Sequence, residues 1–178
     1  MSSADALRTL AQIFARPLAA EEIAALAGSD HVLSQALRED AARGGRTALS
    51  EALAEEFTRL FVGPVGHQPP LEGLMRGDDE LLGPYAREVT RAYRDADLEP
   101  DPGSGLLPDH LGVELGFLAE LVERDQSAEV ARFVRGHLDT WVPAWVGRYS
   151  GVARMSFYRV AGALLLEALR DLREADQA

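Results

Sequence analysis

The sequence contains no cysteine. This absence excludes disulfides, thiolate metal sites and cysteine nucleophiles, and it leaves the redox compartment undetermined. Lysine is absent as well, so all eighteen basic residues are arginines, and 29 acidic residues outweigh them to give a net charge of −11. Because nucleic acids and anionic membranes bind cationic surfaces, neither is expected as the main partner. The charge favours a cationic ligand or peptide, while solubility alone is the simpler explanation for it.

Long apolar runs are also missing. The longest covers residues 160–166 and is followed by Glu167, which makes it far too short to span a bilayer. Residues 1–5 lack the basic segment and apolar core of a secretory signal. The sequence therefore predicts a cytoplasmic protein that does not insert into membranes, and its 178 residues fit one domain over residues 1–178.

Strand patterns are absent, whereas apolar residues recur at helical spacing through most of the chain. The sequence predicts an all-α fold, a single-domain compact helical bundle of roughly eight to nine helices. Glycine and proline interrupt residues 62–79 so densely that a loop is expected there. Residues 99–105 are similarly rich in glycine and proline, and they predict a linker or hinge.

Some helix boundaries follow from the same signals. A helix is expected over residues 79–96, with Leu82 facing inward, and the final helix is expected over residues 152–175. Pro143 stands between Trp141 and Trp145, and this group predicts a break in the helix before the last one.

Residues 108–118 combine a helix start, an apolar stripe and a polar cluster. Pro108 disfavours helix in the residue before it and Asp109 is suited to cap a first turn, so a helix is expected to begin here. Leu111, Leu115 and Leu118 recur on one face of that helix. The small residues at 112, 116 and 119 form another stripe, which would let a neighbouring helix approach closely.

His110 and Glu114 stand four residues apart and offer two metal ligands on one helix face. A third and a fourth ligand are not evident from the sequence, since His31, His67 and His137 lie in unrelated contexts. Neither a phosphate-binding loop nor a nucleophile elbow is recognisable. From the residues alone, Asp109 is interpreted as a helix cap, and His110 with Glu114 as a pair on the surface.

Three blocks of sequence resemble the TorD/DmsD/NarJ family of redox-enzyme maturation chaperones. They are residues 56–64, which include Leu-Phe-Val-Gly-Pro, residues 69–72, Pro-Pro-Leu-Glu, and residues 108–115, which begin Pro-Asp-His-Leu. The distal Trp141-Val142-Pro143 and Phe157-Tyr158 also match, so the resemblance extends over most of the chain from about Leu53 onward.

The resemblance implies a cytoplasmic, all-helical chaperone without catalytic residues, cofactor or metal. Such proteins bind the twin-arginine signal peptide, or another part, of a molybdopterin-containing oxidoreductase until its cofactor is inserted. Leu60 and Phe61 would then form an apolar wall and Gly63-Pro64 would shape a loop. The residues expected to bind the peptide or client are Leu60, Phe61, Gly63, Pro64, Glu72, Pro108, Asp109, His110, Leu111 and Glu114. A monomer or a helix-swapped dimer is compatible with the resemblance.

Two departures from the family pattern bear on ligand preference. Glu72 is followed by Gly73, where family members often have serine, and Glu114-Leu115 is followed by Gly116, where they often have an acidic residue. Two alternatives remain open at this point. One is a small metal-dependent hydrolase that uses Asp109, His110 and Glu114, and the other is a permanent accessory subunit of the oxidoreductase.

Overall fold

The computed structural model describes residues 2–29, 31–43, 48–64, 66–99 and 102–174. The chain in these ranges is helical, with a single isolated antiparallel bridge between Leu71 and His110 and no strand. The α-helices are α1 (Ser3–Ala15), α2 (Ala20–Ala27), α3 (Val32–Arg43), α4 (Leu49–Phe57), α5 (Glu72–Arg76), α6 (Pro84–Asp95), α7 (Leu111–Glu123), α8 (Ser127–Phe133), α9 (Asp139–Ser150) and α10 (Ser156–Glu174). The expected all-α fold is confirmed.

Two π-helical turns extend these helices. Thr58–Val62 continues α4, and Val134–Leu138 joins α8 to α9 without interruption. The described chain therefore contains nine continuous helical segments, besides a 3-10 turn at Pro102–Ser104. The predicted break at Trp141, Pro143 and Trp145 is wrong, because Pro143 lies inside α9. Proline disturbs the turn that precedes it, and in this chain a widened π-helical turn stands just before α9.

Several further helix boundaries differ from the predicted ones. The predicted loop 62–79 contains the short helix α5, and α6 begins at Pro84 rather than at residue 79. Proline suits a first helical position because its missing N–H is not needed there. Leu82, which was expected to face inward, precedes that helix and is 52% exposed. The last helix starts at Ser156, four residues later than predicted.

The predicted hinge over residues 99–105 contains the 3-10 turn, while Pro100 and Asp101 lie outside the described residues. None of the described helices is both long and apolar enough to cross a bilayer.

Helix α7 runs through the core and is buried on most sides. Leu111, Leu115 and Leu118 are fully buried, as their spacing predicted. Gly112 allows α1 to approach closely, since an added Cβ would lie 3.0 Å from the Cβ of Ala15. The predicted close approach of a second helix is therefore found at Gly112. The position of α7 between α1 and the α5 segment determines where its polar first turn opens.

Candidate functional site: a buried cluster between α5, α7 and the second π-helical turn

Residues 69–72 and 108–115, the second and third blocks that resemble the family, lie side by side. The backbone N–H of Glu72 donates to the carbonyl of Asp109 at 2.9 Å, and the N–H of Leu111 donates to the carbonyl of Pro70 at 2.9 Å. These bonds form the bridge between Leu71 and His110. Because the pairing aligns the start of α5 with the start of α7, it brings Glu72, Asp109 and Glu114 into one region of the molecule. Together with His137, these residues form the buried cluster.

Asp109 does not cap its own helix, so that prediction is wrong. Its Oδ2 accepts a hydrogen bond from the N–H of Gly73, in the first turn of α5, at 3.0 Å. The cap of α7 is His110, whose Nδ1 accepts from the N–H of Gly112 at 3.0 Å, and α7 begins at Leu111. Residues 109–111 pair with residues 70–72. This pairing turns the side chain of Asp109 away from the first turn of α7 and towards α5.

Glu72 is fully buried between two nitrogen-bearing side chains. Arg76, one turn later in α5, donates to its Oε1, and Nδ1 of His137 lies 3.0 Å from its Oε2. Burial by itself raises the pKa of Glu72, but the hydrogen bond and the charge of His137, with further hydrogen bonds from Glu114 and Arg76, hold that pKa below its usual value. Glu72 is therefore ionised in the folded protein.

Glu114 is also fully buried, and no N–H or O–H of another described residue donates to either of its carboxyl oxygens. Burial raises the pKa of Glu114 well above its usual value, and the charge and hydrogen bond of Glu72 and the charge of Asp109 raise it further. Glu114 is therefore protonated and neutral beside the ionised Glu72. His110 and Glu114 are not the surface pair expected from the sequence, because both are buried.

Asp109 and Tyr93 complete the polar surroundings. Burial raises the pKa of Asp109 despite the hydrogen bond from Gly73, and its Oδ1 has no partner among the described residues. The hydroxyl of Tyr93 donates to the carbonyl of Pro108 at 2.7 Å, and burial raises the pKa of Tyr93 well above its usual value. The hydroxyl of Tyr93 thus remains neutral, and its hydrogen bond fixes the segment that precedes α7.

Sequence reasoning missed His137 and Arg76. Arg76 has a local signal, since it follows Glu72 by four residues, but that spacing has meaning only if residues 72–76 are helical. His137 has none, because it reaches Glu72 across 65 residues from the second π-helical turn. Such turns occur frequently at functional sites.

Most of the other predicted site residues lie away from this cluster. Leu60 and Phe61 are buried in the core, where Phe61 packs edge-on against Phe14 and near Trp145. Gly63 ends the first π-helical turn and Pro64 is exposed. Asp109, His110 and Glu114 do not present a common ligand group; among the described residues, the group that converges is Glu72, Glu114 and His137.

Two cavities flank the cluster. The first, of about 270 Å³, runs along α7 beside Gly116 and Phe117 and is bordered by Leu98, Leu106 and Val113. A Cβ at Gly116 would meet no atom within 4 Å, so this glycine leaves the groove open. The second cavity, of about 390 Å³, lies between α6, α8 and the second π-helical turn, and His137 is part of its wall.

Comparison with known proteins agrees with the motifs. The model of the nitrate reductase delta subunit family matches residues 17–147, which include all three blocks. The chain belongs to this family. The resemblance to the TorD/DmsD/NarJ family is thereby confirmed. No curated protein matches the sequence significantly.

The fold of this nitrate reductase delta subunit family member has a solved counterpart. Its structure is similar to that of a candidate redox enzyme maturation protein from Archaeoglobus fulgidus, with a TM-score of 0.51. The alignment covers 100% of this chain and 95% of the other, at 18% sequence identity. At that identity the similarity concerns the fold alone.

Both departures from the family pattern have structural consequences. A Cβ at Gly73 would lie 2.8 Å from Oδ2 of Asp78 and 3.0 Å from Oδ2 of Asp109, so a serine would displace these carboxylates. Gly116, in place of an acidic residue, widens the groove along α7. This chain therefore combines a glycine packed tightly against two carboxylates with an open groove along α7.

Proposed function

We propose that this protein is a cytoplasmic maturation chaperone for a molybdopterin-containing oxidoreductase. It binds the twin-arginine signal peptide, or the apo form, of that enzyme and holds it for cofactor insertion and for assembly or export. The observation that carries this proposal is the family match over residues 17–147, whose second and third sequence blocks pair directly in the structure. The role is binding rather than catalysis, and the partner is the catalytic subunit or its signal peptide.

The groove along α7 supports the proposal because its chemistry suits such a peptide. Leu98, Leu106 and Val113 offer apolar contacts, and the carboxylates of Glu99 and Glu120 border the same cavity. Glu120 also pairs with Arg8 at 2.8 Å. A segment with an apolar stretch and two arginines would place its side chains on the apolar wall and its guanidinium groups near the carboxylates. The net charge of −11 attracts the same cationic ligand over longer distances.

The buried carboxyl groups of Glu72, Asp109 and Glu114 support this groove without lining it. Tyr93 borders the cavity and donates to the carbonyl of Pro108, just before α7. Asp109 fixes α5 against that same segment through Gly73. We infer that Glu72, Asp109 and Glu114 position the wall of the groove, because their carboxyl groups are buried and direct contact with a peptide would require the cluster to open.

A capture experiment with matched glycine variants tests this proposal. Gly116→Leu fills the groove, and Gly147→Leu is the control, since a Cβ added at either glycine would meet no atom within 4 Å and Gly147 lies on the exposed side of α9. Tagged wild type and both variants are used to capture partners from the native host, and the partners are identified by mass spectrometry. Wild type and Gly147→Leu are expected to retain a molybdopterin-containing oxidoreductase, and Gly116→Leu is expected to lose most of it.

Capture by Gly116→Leu at the wild-type level would exclude the groove as the binding site. If wild type captures no molybdopterin-containing oxidoreductase, the chaperone proposal is wrong. Repeating the capture with the client lacking its amino-terminal segment separates the two forms of recognition, because only signal-peptide binding depends on that segment. Light scattering over a range of concentrations distinguishes the monomer from the helix-swapped dimer.

A further inference from the structure

Glu72, Glu114 and His137 come from α5, α7 and the second π-helical turn, and their ligand atoms lie within 4.8 Å of one another. Two carboxylate oxygens and one imidazole nitrogen are donors that first-row divalent metal ions accept. A central ion about 2.0–2.2 Å from each donor requires the donors to be about 3–4 Å apart, which small side-chain movements provide here. We propose that these three side chains bind one divalent transition-metal ion.

Glu114 is the observation that points to a cation. It is fully buried, and no donor from another described residue reaches its two oxygens. Its carboxyl group lies close to that of Glu72, and two carboxylates so placed repel each other unless a cation lies between them. A metal ion bound there would satisfy oxygens that the surrounding side chains leave without a donor.

Residues around the three ligands hold two of them in place. Arg76 donates to Oε1 of Glu72, and Nδ1 of His137 lies 3.2 Å from Oε1 and 3.0 Å from Oε2. The ring of Phe133 stacks on the ring of His137 at a centroid distance of 4.6 Å, which fixes the imidazole plane. Supporting contacts of this kind orient metal ligands in known sites.

The second cavity gives a path from solvent to this cluster. His137 forms part of its wall and keeps 15% of its side chain exposed, whereas both carboxylates lie behind it. The charged residues that border the cavity are Glu88, Asp95, Glu129, Arg91 and Arg132. A hydrated cation would enter through this cavity and lose its water as it passes His137.

The ion would connect α5, α7 and the second π-helical turn. Because it would bind the folded chain, it would raise the free energy of unfolding with the logarithm of its concentration once that concentration exceeds the dissociation constant. This inference does not depend on the proposed chaperone function, since it involves no client.

Isothermal titration with Zn²⁺, using tag-free and metal-stripped full-length protein, tests the inference. Wild type is expected to bind one ion per chain. Glu114→Gln keeps the side-chain volume and donates its amide to Glu72, so it is expected to remain folded and to bind Zn²⁺ more than about tenfold more weakly. His67→Ala, which removes a histidine outside the cluster, is expected to bind as wild type does. Circular dichroism checks the folding of each variant.

Co²⁺ supplies a second readout, because its visible absorption bands report low-coordinate nitrogen and oxygen ligation. The bands are expected in wild type and His67→Ala and are expected to disappear in Glu114→Gln. If Glu114→Gln fails to fold, His137→Gln is titrated in its place. The absence of binding at one ion per chain in wild type would overturn the proposal, and so would equal binding by wild type and the folded cluster variant.

Discussion

Two groups of buried carboxylates can be compared in this molecule. Asp40 and Glu56 are 4% and 5% exposed and lie near the start of α10. Asp40 accepts from the N–H groups of Ser156 and Phe157 at 2.9 and 2.8 Å, and Glu56 accepts from Arg59 and from the N–H of Arg154. In contrast, the carboxyl oxygens of Glu114 accept no hydrogen bond from another described residue.

The difference shows that burial of an acid does not by itself mark a functional site. Burial alone raises the pKa of Glu56, but Arg59 and the N–H groups of Arg154 and Met155 outweigh it, so that pKa lies below its usual value. The pKa of Glu114 lies well above its usual value, because burial meets no compensating donor. Glu56 and Asp40 hold helices together, whereas Glu114 remains available for a proton or a cation.

Removing the carboxylate of Asp40 should have the largest effect on stability. Asp40→Ala leaves the N–H groups of Ser156 and Phe157 without an acceptor at the start of α10, and we expect it to lower the free energy of unfolding by about 3 to 4 kcal/mol. Urea unfolding followed by circular dichroism measures the loss. Asp40→Asn retains one acceptor and is expected to cost less; equal losses in the two variants would mean that capping is not the cause.

The free energy of unfolding should depend on pH through His110, the residue that caps α7. Burial lowers the pKa of His110 to about 4, from 6.5 when exposed, so the unfolded chain binds more protons between these values. The contribution of His110 to the free energy of unfolding is therefore complete above pH 6.5. It is lost as the pH falls towards 4, and the loss is at most about 3 kcal/mol. Urea unfolding at several pH values measures it. In His110→Asn, which can still cap α7, this part of the pH dependence should vanish; an unchanged profile would contradict the assignment.

A matched pair of isosteric changes tests the comparison directly. Glu56→Gln removes a carboxylate bound to Arg59 and should cost about 2 kcal/mol. Glu114→Gln replaces a protonated carboxyl group by a similar neutral amide and should cost less than about 1 kcal/mol. Denaturant unfolding at pH 7 compares the two variants. Equal losses would show that Glu114 is ionised and paired, and the contrast between the two groups would then fail.

The smallest expected effect comes from the glycines beside the cluster. Gly73→Ala brings a methyl group against Asp78 and Asp109, and we expect a loss of about 1 kcal/mol. Gly116→Ala meets open space and should instead raise the free energy of unfolding by up to about 1 kcal/mol, because alanine favours helix. Thermal or urea unfolding reports both signs. Equal changes in the two variants would mean that the carboxylates move aside freely.

Periodicity and breakers were sufficient to predict much of the fold. The all-α fold follows from apolar spacing and from local stop signals. The buried face of α7 follows in the same way, and its leucines are in the core as predicted. These properties depend on residues within a few turns of each other, so the sequence alone contains them.

The candidate site needed the tertiary structure. The sequence placed Glu72, Asp109 and Glu114 among the candidate residues, but it assigned Asp109 to the wrong helix and gave no reason to add His137. Asp109 caps α5 because residues 70–72 pair with residues 109–111, and His137 reaches Glu72 from a π-helical turn far along the chain. Contacts of this kind join segments by packing and backbone pairing, and no local pattern of residue types encodes which segments will meet.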